Sequence, residues 1–259
     1  MPLSTRIAPH LPFLRRFSRT LIGSQKNGDH CVAAMLETLI TDPGLFPAAS
    51  SDRIALYKLF ITQQKNTIVP SRDHDEAAQT ATLSRMNILP RQAFLLIASE
   101  GFQPREVMEI LDISERELSQ LIGAASAEIS RQDATRILIV EDEPLIAMDI
   151  EQIAESMGHE VVGIARTKSE AITLYERENP GMLLVDIQLA DGSSGIDVAS
   201  DILRSEQIPI IVITAFPERL LTGTRPEPTF LVNKPFNKDL LKAMISQALF
   251  FAEFSASKD

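Results

Sequence analysis

The sequence predicts a two-part protein: an all-α N-terminal half and an α/β C-terminal half built on a five-stranded, doubly wound parallel sheet. Three observations carry this. Up to Glu128 apolar residues recur at helical spacing, with no convincing strand. From Arg136 short aliphatic runs alternate with helical stretches, the pattern of a parallel sheet wrapped by helices. With 259 residues and 44% hydrophobic content, the chain is long enough for two domains.

In the first half, Leu14, Phe17 and Leu21 form one stripe and Val32, Met35, Leu36, Leu39 and Ile40 a second. Ile54, Leu56, Leu59 and Phe60 form a third, opened by Ser51 or Asp52 as N-cap. Arg15 and Arg16 read as a solvated helix face. Residues 23–29 and 42–50 supply the breaks, and the polar segment 65–81, with Pro70, reads as a linker between helical subdomains at 1–64 and 82–131.

The second subdomain repeats the logic at shorter range. Pro90 suits the first position of a helix over 91–99, which Gly101 ends. Gln103 or Pro104 opens a helix over 105–111, and Ser114 with Glu117 forms a capping box for a third. Helix, short turn, helix is the arrangement whose second member reads a major groove in DNA-binding proteins. Here that helix carries Glu115, Glu117 and Glu128 against Arg116, and carboxylates there repel phosphates.

The C-terminal half, 135–255, reads as strands over 137–140, 161–164, 182–185, 210–213 and 230–232. A helix with Ile146, Ile150, Ile153 and Met157 on one face and helices over 169–178, 196–205 and 238–250 separate and follow them, with a short element near 217–221. The most economical order for such repeats is the flavodoxin-like one, whose sites lie at the carboxyl ends of the strands. The first strand stops at Glu141–Asp142–Glu143 and the third at Asp186. The fourth ends at Thr214–Ala215 and the fifth at Lys234–Pro235–Phe236.

A strand-capping acid would account for Asp186 alone, but not for this convergence. Clustered carboxylates call for a hard cation, and an oxygen-rich pocket with no histidine or cysteine nearby in sequence suits Mg²⁺. One carboxylate can then attack a phosphoryl group, with lysine as counter-charge and the threonine hydroxyl bonding a phosphoryl oxygen. That is the chemistry of aspartyl-phosphate formation.

Composition narrows the class further. Net charge is −10, with 14 Lys+Arg against 15 Asp+Glu over 1–133 and 11 against 20 over 134–259. Neither half has the basic excess that phosphate-backbone binding requires, so direct DNA binding is not expected. One cysteine, Cys31, excludes an internal disulfide and fits a reducing, cytoplasmic setting; its place on an apolar stripe makes it a small core residue. No signal peptide or membrane span is read. His10, His30, His74 and His159 share no ligand spacing and read as surface or incidental. Walker loop, serine elbow and zinc spacing are all missing, so no enzyme activity is expected.

Two resemblances join these readings. FLRRFSRTLIGSQKNGDHCVAAMLETLI is similar to region two of extracytoplasmic-function sigma factors, and LPRQAFLLIASEGFQPREVMEILDISERELSQLIGAASAEI to their region four. Residues 136–250 closely resemble a response-regulator receiver domain. By that resemblance Asp186 is the phosphoacceptor, and Glu141, Asp142, Asp186 and the backbone carbonyl of Gln188 bind Mg²⁺. Thr214 is the switch hydroxyl, and Lys234 contacts the phosphate ahead of a cis peptide to Pro235. Leu231 stands where the usual switch aromatic would be, so no aromatic switch residue is carried over.

A sigma-like module ahead of a receiver resembles the PhyR-type response regulators of the alphaproteobacterial general stress response, a two-component system. The resemblance implies a phosphoprotein and anti-anti-sigma factor working by partner switching. A sensor histidine kinase or phosphotransferase phosphorylates the receiver; the sigma-like half opens and sequesters an anti-sigma factor of the NepR type. A stress sigma factor is thereby freed, and transcription regulation follows. The alternatives are a receiver-gated DNA-binding transcription or sigma factor, and a phosphorelay intermediate.

Overall fold

The computed structural model describes residues 2–67, 88–129, 133–203, 208–217, 220 and 228–256. Two compact units divide the chain, Met1–Ala127 and Glu128–Asp259. Among the described residues no helix is long and apolar enough to cross a membrane.

The first unit opens with α1 (Leu3–Ile7), α2 (Leu11–Ile22), α3 (Gln25–Thr41) and α4 (Asp52–Thr67). Gly23, at φ 73°, closes α2 in the left-handed conformation that favours glycine. Ser24 caps α3 by accepting Asn27 N–H, and Ser51 caps α4 by accepting Ile54 N–H. A Cβ on Gly28 would lie 2.7 Å from Arg19 Cα, so only glycine lets α3 approach α2 this closely. Leu14, Phe17, Leu21, Ile54, Leu56 and Phe60 are buried as their spacing predicts. Each large side chain so buried stabilises the fold by about 1.5–3 kcal/mol.

The unit continues with α5 (Ile88–Ala98), α6 (Pro104–Leu111) and α7 (Glu115–Ile129). The predicted capping box is made, Ser114 and Glu117 bonding reciprocally, and a second one not expected from sequence joins it at α6, where Glu106 accepts Gln103 N–H. Helix α6 packs on α4 as well as on α5, and Phe102 stacks edge-on against Tyr57 at 5.0 Å.

Several readings in this half change, and one is the break expected at 23–29: it is confined to Gly23 and Ser24, because α3 already begins at Gln25. Ile40 is 79% exposed: it ends the α3 stripe on a face it shares with exposed Ala33 and Glu37, beside buried Leu39. Arg16 is buried, because its carboxylate partner lies 84 residues away and no local pattern announces it. Pro90 sits inside the first turn of α5, not at its first position; the N–H that proline lacks is unneeded there. Helix α4 runs through Thr67, into the segment read as linker, and 68–81 lie outside the described residues. Cys31 is only half buried, and burial pushes its thiol pKa up.

In the second unit β1 (Arg136–Val140), β2 (Glu160–Ala165), β3 (Met182–Asp186), β4 (Ile210–Thr214) and β5 (Phe230–Asn233) form one parallel sheet. Its order is β2-β1-β3-β4-β5, the flavodoxin-like order. Helices α9 (Lys168–Glu178) and α10 (Gly195–Ile202) pack together, as do α8 (Pro144–Ser156) and α11 (Lys238–Ala256). Leu138, Val140, Leu183, Val185, Val198 and Ile202 belong to one core cluster with Ala171 and Tyr175 of α9. Strand β3 is buried at every position, as a central strand covered on both faces must be. Of the short element expected near 217–221, most lies outside the described residues.

His159 corrects another reading. It is 5% exposed, and its Nδ1 accepts Thr135 N–H at 3.2 Å where the chain enters β1. Burial lowers its pKa. His30 is exposed and His10 partly so, while His74 lies outside the described residues.

Candidate functional site

Parallel strands present all their carboxyl ends at one sheet edge, and that geometry gathers the polar residues there. Glu141 follows β1, Asp186 ends β3, Thr214 ends β4 and Lys234 follows β5. Glu141 is 1% exposed and Asp186 7%. Lys234 Nζ lies 2.6 Å from Asp186 Oδ2, 2.7 Å from Glu141 Oε2 and 3.8 Å from Glu143 Oε1. The peptide Lys234–Pro235 is cis, and Lys234 N–H donates to Thr214 O at 2.7 Å, fixing the end of β5 beside β4.

Two opposed forces set the local charges. Burial raises the Glu141 pKa, offset only in part by the Lys234 ammonium. Burial opposes the Lys234 charge, but hydrogen bonds to Asp186 and Glu141 win and raise its pKa. The site is thus a charged lysine between carboxylates, with acid still in excess.

Ligand oxygens of Glu141, Asp142 and Asp186 lie within 4.8 Å of one another. Glu141 Oε2 is buried and is met only by the Lys234 ammonium at 2.7 Å, so this oxygen has coordination capacity to spare. An all-oxygen donor set of this kind fits Mg²⁺. Gln188 sits on the adjoining turn, its N–H donating to Asp186 Oδ1 at 3.4 Å.

Thr214 is 1% exposed, and its Oγ1 accepts Phe216 N–H at 3.1 Å. Leu231 is buried at 2% exposure in β5.

Two further residues shape the site. Glu143 N–H donates to Glu141 Oε1 at 3.3 Å, steadying that carboxylate. Gly195 opens α10 directly behind Asp186: a Cβ there would lie 1.8 Å from Asp186 O and 2.5 Å from Val185 Cγ1. Its sequence signal is slight, a glycine after the capping Ser194, because the crowding belongs to a strand that lies nine residues earlier.

Comparison with known proteins agrees with this architecture. The chain matches the sigma2 domain of PhyR over residues 7–61, the sigma-like domain of response regulator PhyR over 83–132 and the response regulator receiver domain over 137–246. It is 44% identical over 264 residues to the phyllosphere-induced regulator PhyR of Methylorubrum extorquens, covering 100% of this chain and 98% of that protein. The crystal structure of the response regulator PhyR from Brucella abortus is 63% identical with a TM-score of 0.88, over 99% of this chain and 97% of that one. The anti-anti-sigma factor PhyR from Bartonella quintana is 57% identical, also at 0.88, over 99% of both chains.

Proposed function

Since the chain belongs to the PhyR family of response regulators, we propose that it is a phosphorylation-controlled partner switch, a regulator without catalytic turnover. The observation that carries the reading is the coexistence, in one chain, of a sigma-like unit with an acidic reading helix and a lysine-bridged aspartate at a receiver's sheet edge. A relative 57% identical along almost its whole length is an anti-anti-sigma factor. Glu115 and Glu117, exposed at the start of α7, suit a protein partner better than a phosphate backbone.

Asp186 acts as nucleophile toward a phosphohistidine or a small acyl phosphate. Its carboxylate oxygen bonds to phosphorus as the P–N or P–O bond breaks, and the electron pair leaves with the donor group. Lys234 offers its ammonium to the phosphoryl oxygens, and Thr214 turns its hydroxyl toward one of them. Glu141, Asp142, Asp186 and the Gln188 carbonyl would hold Mg²⁺, which would offset the negative charge of the cluster and of the incoming phosphoryl.

The added charge of about −1.5 to −2 then favours the state in which the sigma-like unit is available to an anti-sigma factor of the NepR type. A differential of about 3 kcal/mol shifts that equilibrium by roughly two orders of magnitude. The single cysteine, held as a thiol, fits a reducing compartment such as the cytoplasm, where a sensor histidine kinase or phosphotransferase supplies the phosphoryl group.

The test is capture of a purified NepR-type anti-sigma factor by the full-length protein, with and without acetyl phosphate and Mg²⁺, in wild type and Asp186→Ala. Capture that rises with acetyl phosphate only in wild type supports the switch. Equal capture in all four cases sinks it. Salt-dependent promoter binding would point instead to a transcription factor, and phosphoryl transfer to a histidine phosphotransferase without anti-sigma capture to a relay protein.

A further inference from the structure

We propose that Glu100 is a positioning residue for partner capture: its buried carboxylate holds the region-four-like helices on the region-two-like helices in one register, and the anti-sigma factor binds that joined body. The inference rests on the function proposed above. Glu100 lies in the turn between α5 and α6, where a carboxylate would ordinarily face water. Its side chain is instead 0% exposed.

The donors that meet it come mostly from the other subdomain. Arg16 of α2 donates Nη2 to Glu100 Oε1 at 3.0 Å and to Ser99 O at 3.3 Å. Tyr57 of α4 donates its hydroxyl to Oε2 at 2.8 Å, and Ser99 Oγ lies 3.1 Å from Oε1. Arg53, also of α4, donates to the Glu100 carbonyl, reaches within 3.9 Å of Oε2 and lies over the Phe102 ring at 4.0 Å. The two segments joined here match separate domain models, 7–61 and 83–132, yet share one compact unit.

A buried ion pair is weak evidence for stability, because desolvation opposes the Coulombic gain; fixing one register is its best-attested use. Apolar surfaces alone could slide against each other. A carboxylate that must meet Arg16, Tyr57 and Ser99 at once permits one alignment. The same groups regain water if the subdomains part, which leaves the contact breakable by a modest free energy. Phosphoryl chemistry does not involve Glu100, so its effect on capture is separable from the acceptor site.

The test uses the full-length protein with Cys31→Ser and spin labels at Glu37→Cys in α3 and Arg105→Cys in α6, both exposed positions. Wild type gives one narrow distance, whereas Glu100→Gln adds a second population. Glu100→Gln also weakens capture of the NepR-type anti-sigma factor by about tenfold, a coupling of ordinary size. Asp186 phosphorylation by acetyl phosphate stays at the wild-type rate. Tyr57→Phe, which removes one donor, shows both effects in smaller measure and stands in if Glu100→Gln loses its helical circular dichroism. Unchanged distances, or unchanged affinity beside altered distances, overturn the inference. Failure of wild type itself to capture the factor overturns the function proposed above instead.

Discussion

Lys234 Nζ stands 2.6 Å from Asp186 Oδ2 and 2.7 Å from Glu141 Oε2, so a single ammonium is shared by the carboxylate that ends β3 and the one that follows β1. Lys234→Ala leaves both acids without a counter-charge and the phosphoryl group without its cation. We expect acetyl-phosphate labelling, followed by intact mass, to slow by roughly 10²-fold, the scale of losing one aimed electrostatic group. Asp186→Asn abolishes labelling outright.

Metal dependence follows from the same cluster. Mg²⁺ at millimolar concentration should raise the thermal midpoint of the wild-type receiver, because an ion that binds only the folded state stabilises it. Glu141→Gln or Asp142→Asn should blunt that rise in a calorimetric scan, and chelation should stop labelling of Asp186.

Gly195 has no room for a side chain. Gly195→Ala places a methyl 1.8 Å from Asp186 O, so strand and loop must part. Denaturant unfolding should show the receiver destabilised by about 3 kcal/mol or more, beyond the usual range for an added methylene in a packed core. An unaltered midpoint would contradict the close approach.

His159 predicts a pH dependence. Its folded pKa lies below the ordinary 6.5 because burial disfavours the imidazolium, and its Nε2 has no hydrogen-bond partner. The stability this contributes is complete above 6.5 and is lost as pH falls toward the folded value, since the unfolded chain takes up the proton first. Each unit of depression is worth about 1.4 kcal/mol. His159→Gln, which keeps an acceptor for Thr135 N–H, should flatten the stability profile between pH 7 and about 5, within the span where histidine titrates.

The polar sheet edge was legible from sequence because parallel strands deliver their carboxyl ends to one side, whatever the intervening helices contain. Aliphatic runs ending in Glu141, Asp186, Thr214 and Lys234 therefore sufficed to place those residues together. Arg16 was misread for the opposite reason: periodicity reports a helix face, not a carboxylate 84 residues away that claims the face. Ile40 shows the limit of a stripe, which continues in sequence past the point where any neighbour covers it. His159 and Gly195 are decided by what packs over them, and that is a property of the assembled sheet and loops.

Thr214 Oγ1 holds the N–H of Phe216 at 3.1 Å, so the hydroxyl already has a tenant before any phosphoryl arrives. If the hydroxyl turns toward a phosphoryl group on Asp186, that amide loses this acceptor. The state of one oxygen would thereby be transcribed into the exchange rate of a neighbouring peptide hydrogen, a signal that deuterium uptake can follow in the absence of any partner.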